Sequence, residues 1–211
     1  MAKIKTLVYA GGKIHDWKGC GDKIQETLAA ADEFDITRVD DDLDCLLTLD
    51  PYDLIVFYHT VTEITDPQLL GLLNFVASGK GYVGIHSAAD SFRDSPAYRS
   101  FVGGYFVTHP KYRQYQVSIT EVEHPITEGM DEFLVTDEQY ITSYDERNTI
   151  LATALYKGKA MPVVWVKDWG TGRLCYIALG HNPDSCADEN FHTLLIRGAR
   201  WAATPPKAMD E

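Results

Sequence analysis

The sequence predicts an α/β domain in which a mostly parallel central sheet is extended by antiparallel strands, and three observations carry the prediction. Apolar runs alternate with helical patterns through the first half, a β-α-β rhythm. One of those runs, Leu54 to Tyr58, is continuously apolar, as a parallel strand covered on both faces requires. From Tyr115 onward the strands show more polar alternation, which marks antiparallel strands with one solvated face.

The elements follow in order. Ile4 to Ala10 reads as the first strand, Asp22 to Ala31 as a helix and Phe34 to Val39 as the second strand. The acidic stretch Asp40-Asp41-Asp42-Leu43-Asp44 reads as a solvated loop, not as a metal site. Asp53 to His59 is the central strand. The helix over Asp66 to Ser78 is well signalled: Asp66 can cap it, Pro67 fits its first turn, Leu69, Leu72, Leu73 and Val76 make one stripe, and Gly79 closes it. Tyr82 to His86 is the next strand. Strands then follow at Tyr115 to Val122, Glu138 to Thr142 and Ile150 to Tyr156, and a hairpin joins Val163–Lys167 to Leu174–Leu179 through Trp169-Gly170-Thr171-Gly172. A terminal helix carries Phe191, Leu194, Leu195, Gly198 and Ala202 on one face, with Asp188 and Glu189 at its positive end. No linker or repeat interrupts the pattern, so residues 1–211 are expected to form one domain.

Composition narrows the function classes. The chain has 211 residues, 45% of them hydrophobic, enough for a sizeable core and far from the composition of a disordered chain. Nineteen Lys and Arg against 31 Asp and Glu leave a net charge of −12, the same sign as a phosphate backbone, which argues against a nucleic-acid partner. No apolar run is long enough to span a bilayer, and Met1 to Lys5 leads into a strand pattern instead of a signal peptide. A cytoplasmic protein with no membrane partner is the expectation. Cys20, Cys45, Cys175 and Cys186 show no C-x-x-C spacing, so neither a disulfide framework nor a zinc knuckle is indicated.

Ligands of an open parallel sheet bind beyond the carboxyl ends of its strands. Four of the seven histidines fall there: His15 just after the first strand, His59, His86 and His181 at the ends of three others. Neutral imidazole suits proton transfer near pH 7 and transition-metal binding, so the convergence predicts a reactive cleft. The sharpest segment is Gly84-Ile85-His86-Ser87-Ala88-Ala89-Asp90, in which small residues two before and two after the tip outline a nucleophile elbow. Its tip is a histidine. Ser87 stands one step off it.

With Gly103-Gly104-Tyr105-Phe106, His109-Pro110, His124-Pro125, Asp137-Glu138-Gln139-Tyr140, Gly172-Arg173, Ala178-Leu179-Gly180-His181 and Arg197-Gly198-Ala199-Arg200-Trp201-Ala202, that segment resembles the ThuA-like (trehalose utilisation) family of the class I glutamine amidotransferase-like superfamily, nearly end to end. The resemblance implies a flavodoxin-like three-layer α/β/α fold. It also sets His181-Asn182-Pro183-Asp184 where amidotransferases carry His-Pro-Glu, with His86 in place of their cysteine. Amide hydrolysis on this scaffold needs a sulfur nucleophile, so glutamine amidotransferase activity is not expected. Cys186, five residues from His181, reads as structural.

The resemblance further implies a small-molecule carbohydrate, a functional link to a sugar oxidoreductase, and hence an oxidised 3-keto glycoside. Its ketone acidifies the neighbouring C–H, so a base, an acid and an oxyanion stabiliser suffice for elimination, net hydrolysis or isomerisation. His86 is expected to be the base or a metal ligand, and His181 a second ligand or proton donor. Glu138 or Asp137 would orient an imidazole or close a metal shell. His15, Trp17, Ser87, His109 and Tyr140 are the substrate-binding candidates, although the first loop departs from the family's aromatic-Arg-His form. His86, His109 and His181 form the candidate set for a divalent zinc, manganese or nickel ion. The pairs Gly11-Gly12 and Gly103-Gly104 make no G-x-G-x-x-G, so no nucleotide cofactor is indicated. A non-catalytic sugar-binding or regulatory module is the alternative reading, and a homo-oligomeric interaction protein a third.

Overall fold

The computed structural model describes residues 2–204. The continuous apolar run becomes β3 (Leu54–Thr60), and all seven of its residues are buried. Around it lie β1 (Ile4–Gly12), β2 (Phe34–Asp40), β4 (Gly81–Ile85) and β11 (Gly172–Ile177), parallel to one another in the order β2-β1-β3-β4-β11. Beyond β11 the sheet continues antiparallel through β10 (Lys159–Trp169), β9 (Thr149–Tyr156), β6 (Arg113–Ile119) and β7 (Phe133–Asp137). The order reverses between β1 and β3, and this switch point is where a doubly wound sheet opens a crevice.

Helices cover the parallel part. α1 (Trp17–Ala30) packs on β1 and β2 and also meets the short α4 (Pro183–Cys186) and α5 (Glu189–Ala203), while α2 (Asp66–Ala77) meets the 3-10 turn Leu43–Leu47 and β11. In α5 the stripe Phe191, Leu194, Leu195, Gly198 and Ala202 is buried as expected, and Asp188 caps the helix by accepting from the amides of Asn190 and Phe191. In α2 the cap is one residue earlier than Asp66: Thr65 and Gln68 form a capping box. α1 starts five residues before the predicted Asp22, because the Asp16 side chain accepts from the Gly19 amide and turns Trp17 into the first helical residue.

The antiparallel half differs most from expectation. The strand predicted over Glu138 to Thr142 is broken, since β7 ends at Asp137 and β8 (Ile141–Tyr144) begins after a three-residue gap. β8 leaves the main sheet and pairs with β5 (Gly104–Thr108) in a separate ribbon, which follows α3 (Pro96–Val102). Trp165 on β10 ties this region to the core. Its ring stacks on Tyr176 at 4.0 Å between centroids and its Nε1 donates to the Val102 carbonyl over 2.8 Å.

Candidate active site

The last residues of the parallel strands stand in register: Gly12 opposite Thr60, Tyr58 opposite Ile85, and Ile85 opposite Ile177. The loops leaving β1, β4 and β11 therefore start side by side, and they bring His15, His86 and His181 together. Their rings meet edge to face, with centroids 4.9 Å apart for His15–His86, 5.0 Å for His15–His181 and 5.4 Å for His86–His181. The three-residue gap after β7 adds Glu138, and one ligand atom from each of these four residues lies within 4.8 Å of the others.

His86 is the floor of the cluster. It is fully buried and its φ of +43° puts a β-carbon in the left-handed region, the strain that an elbow imposes on its tip. Three contacts hold it: Nδ1 hydrogen-bonds the Ala178 carbonyl over 2.7 Å, the Tyr176 hydroxyl donates to its carbonyl over 2.6 Å, and its ring lies on Tyr140 with centroids 3.9 Å apart. Because a carbonyl can only accept, Nδ1 carries a proton and Nε2 is the nitrogen left for the site. Nε2 has no hydrogen-bond partner and stands 3.6 Å from Glu138 Oε2. The elbow continues as a five-residue 3-10 turn, His86–Asp90, so no long helix aims its amides at the site from there.

Glu138 is shared by three imidazoles. Oε2 lies 3.2 Å from His181 Nδ1, close but too poorly aligned for a hydrogen bond, and Oε1 lies 2.9 Å from His109 Nδ1. Burial alone would raise the Glu138 pKa, but His181 and His86 outweigh it and hold the carboxyl well below the usual range. Glu138 in turn raises the pKa of His181 against the opposing effect of burial. Burial beside His86 and His181 lowers His15 to about 3, so His15 is a neutral imidazole. Its Nδ1 is engaged by Thr60 Oγ1 over 2.7 Å, which leaves Nε2 for the cluster.

The other predicted residues divide. Asp137 is fully buried and its carboxylate is consumed by backbone, accepting from the amides of Glu138, Gly180 and His181 at 2.7, 2.7 and 3.2 Å. It positions the two loops that carry Glu138 and His181. His109 sits at the rim, its side chain 42% exposed, and is outside the four-residue cluster; His15 occupies the place the sequence reading gave to it. Ser87 is fully buried behind the tip and its hydroxyl has no partner. Trp17 is half-buried against the core in the first turn of α1.

His59, the fourth strand-end histidine, turns into the core. Tyr9 and Thr62 hydrogen-bond its two nitrogens over 3.2 and 2.6 Å, and burial lowers its pKa to about 4. Cys186 is buried with Sγ against the Gly180 carbonyl and its thiol pKa is raised, so it supplies no thiolate. The sequence reading missed Thr60, Tyr58 and Tyr112. Tyr58 donates to the His181 carbonyl over 3.3 Å, and the Tyr112 ring flanks His181 at 5.6 Å. A groove of about 920 Å³ is lined by Lys13, Thr62, Ile64, Phe92 and Arg93 among others, and by none of the four clustered residues.

The family model described as trehalose utilisation (ThuA) matches residues 5–202. None of the curated proteins is a significant match. Among solved structures, a ThuA-like protein from Parabacteroides merdae ATCC 43184 superposes with a TM-score of 0.88 at 23% identity, over 96% of this chain and 90% of that one. A cytoplasmic protein of Salmonella typhimurium LT2 gives 0.72 at 15% identity, over 94% and 99% of the two chains. A β-galactosidase from Bacillus circulans sp. alkalophilus gives 0.65 at 15% identity; there the likeness spans 95% of this chain but 31% of the larger one. At these identities the structural likenesses establish the fold. No helix among the described residues is long and apolar enough to cross a membrane.

Proposed function

The chain belongs to the ThuA family of trehalose utilisation, and from that premise we propose that it is a sugar-catabolic enzyme that removes the proton next to the ketone of an oxidised 3-keto glycoside. The observation that carries the reading is the placement of Glu138 between a rim histidine and three clustered ones. His109 Nδ1 faces two acceptors, the Pro110 carbonyl at 2.8 Å and Glu138 Oε1 at 2.9 Å. That environment keeps the proton on Nδ1 and makes Nε2 the accepting nitrogen. His109 is therefore assigned as the base, with Glu138 orienting it and stabilising the imidazolium that forms.

The ketone oxygen would face His15, His86 and His181. As the C2 proton moves to His109, negative charge grows on that oxygen, and His181, whose pKa Glu138 raises, is the group placed to meet it where water is excluded. Collapse of the enediolate with loss of the C1 substituent gives elimination. Addition of water then completes a net hydrolysis, and return of the proton without loss of the substituent gives isomerisation. A sugar oxidoreductase would supply the ketone.

The test is hydrogen exchange. A 3-keto glucoside incubated with the protein in deuterated buffer should exchange its C2 hydrogen, seen by NMR, whichever product follows. His109→Ala should slow exchange by roughly 10²–10⁴-fold, the usual worth of a positioned base. Tight binding of the sugar with no exchange and no product would refute the enzyme reading and make the protein a binding module.

A further inference from the structure

We infer that His15, His86, His181 and Glu138 form a binding site for a single divalent transition-metal ion. Two buried atoms carry the argument. His86 Nε2 and His181 Nδ1 are both shielded from water, both lack a hydrogen-bond partner, and both lie beside the same carboxylate oxygen, at 3.6 and 3.2 Å. Buried polar atoms are seldom left unpaired. At His86 the assignment is sharper: Nδ1 is committed to Ala178, so Nε2 is the nitrogen turned to the Glu138 carboxylate, with no partner of its own. A cation between them gives both nitrogens and the carboxylate oxygen a partner.

The spacing fits an ion. With metal–ligand bonds of roughly 2.0–2.2 Å, neighbouring ligands lie roughly 3.0–3.6 Å apart and opposite ones roughly 4.0–4.4 Å. The two measured distances match neighbours, and a pair at the 4.8 Å limit closes by a few tenths of an ångström as opposite ligands of an octahedral ion, or by about an ångström around a tetrahedral one. Outer contacts also fit. Nδ1 of His86 is held by a backbone carbonyl and Nδ1 of His15 by Thr60, as is usual for metal-bound imidazoles, and Glu138 Oε1 is held by His109. Three imidazoles with one carboxylate favour zinc, nickel or a similar late ion over magnesium or calcium.

His15 is the residue that distinguishes this set from His86, His109 and His181. The inference bears on the reaction proposed above, because the ion would supply the positive charge that meets the ketone oxygen, but its test needs no sugar. Apo protein is titrated with Zn²⁺ by calorimetry and with Co²⁺ by visible absorption, alongside His15→Ala, Glu138→Gln and, as a control at the opposite edge of the sheet, His124→Ala. One equivalent should bind wild type and His124→Ala alike, and both ligand variants should bind at least tenfold more weakly. His15 lies on a half-buried loop, so its variant is expected to fold; circular dichroism checks this. Absence of binding by wild type, or wild-type affinity in His15→Ala or Glu138→Gln, overturns the inference. If the ion binds but no sugar exchanges, the metal site stands and the proposed reaction falls.

Discussion

His86 and Ala178 are joined by a 2.7 Å hydrogen bond from imidazole Nδ1 to carbonyl oxygen, across the seam between the ends of β4 and β11. The bond sets the tautomer of His86 and leans its ring against Tyr140, while the backbone beneath it stays at a φ of +43°. Chemistry and strain thus sit on one residue. In urea unfolding, His86→Gly should be more stable than His86→Ala by about 1 kcal/mol, because glycine relieves the left-handed strain that any β-carbon feels. Equal stability would show the strain to be absent. Both variants should lose C2 exchange.

Asp137 touches no substrate in the proposed scheme, yet three backbone amides on two loops depend on its carboxylate. Asp137→Asn removes charge and one acceptor from a fully buried position. A loss of about 2–3 kcal/mol in unfolding free energy is expected, as for a broken hydrogen bond to a buried charge. Exchange at C2 should fall with it, because Glu138 and His181 lose their shared anchor.

Gly84 lets the elbow close on itself. A β-carbon there would lie 2.8 Å from the Tyr82 ring and 3.3 Å from Ala88 Cβ. Gly84→Val should therefore destabilise the chain by about 1–3 kcal/mol through overpacking, measured by thermal melting. A neutral effect would mean that Tyr82 can move aside.

No cysteine is presented as a nucleophile. Cys20, Cys175 and Cys186 are buried, the thiols of Cys175 and Cys186 are raised, and burial beside Asp42 and Asp44 pushes Cys45 up to about 12. Iodoacetamide near pH 8 should label the native chain slowly and leave C2 exchange intact, while the denatured chain takes up four labels, counted by mass. Rapid native labelling with loss of exchange would reopen thiol chemistry.

Asp53 clips the start of β3 to its neighbours, accepting from Lys80 Nζ at 2.8 Å and the Lys5 amide at 3.2 Å. The Lys80 bond holds its carboxyl below the usual range against the opposing effect of burial, with a lesser contribution from the Lys5 amide. A depressed carboxylate stabilises the fold above its unfolded pKa of about 3.9, and that contribution is lost as pH falls through the lower folded value. The stability gap between wild type and Asp53→Asn should be constant from pH 5 to 7 and shrink below about pH 4. With the side chain 41% exposed, the whole effect stays under about 1 kcal/mol.

What could be read along the chain was whatever depends on near neighbours. The apolar run Leu54 to Tyr58 identified β3 because burial on both faces leaves no polar position, and the stripe of α5 followed from helical spacing. Gly84 and Ala88 outlined the elbow, with its strained tip at His86. The misreadings arose where distant partners decide. β5 and β8 are held by each other and not by the main sheet, and the break at Glu138 interrupts a run that looks like one strand, because that residue meets imidazoles from other loops. His15 and His59 were equivalent as strand-end histidines. Tyr9 and Thr62 close both nitrogens of His59, whereas Thr60 takes only one nitrogen of His15.

The amino-acid sequence by itself determined the α/β class, the parallel core with its antiparallel extension, the family, and the presence of histidines at strand ends, since each rests on periodicity or on short motifs. Only the tertiary structure decided which of those histidines share a carboxylate. Asp137 became an anchor instead of a catalytic carboxylate, and His109 a rim residue, because hydrogen-bond partners are assigned in three dimensions. In a buried cluster those partners set each tautomer and each charge, and with them what the site can do.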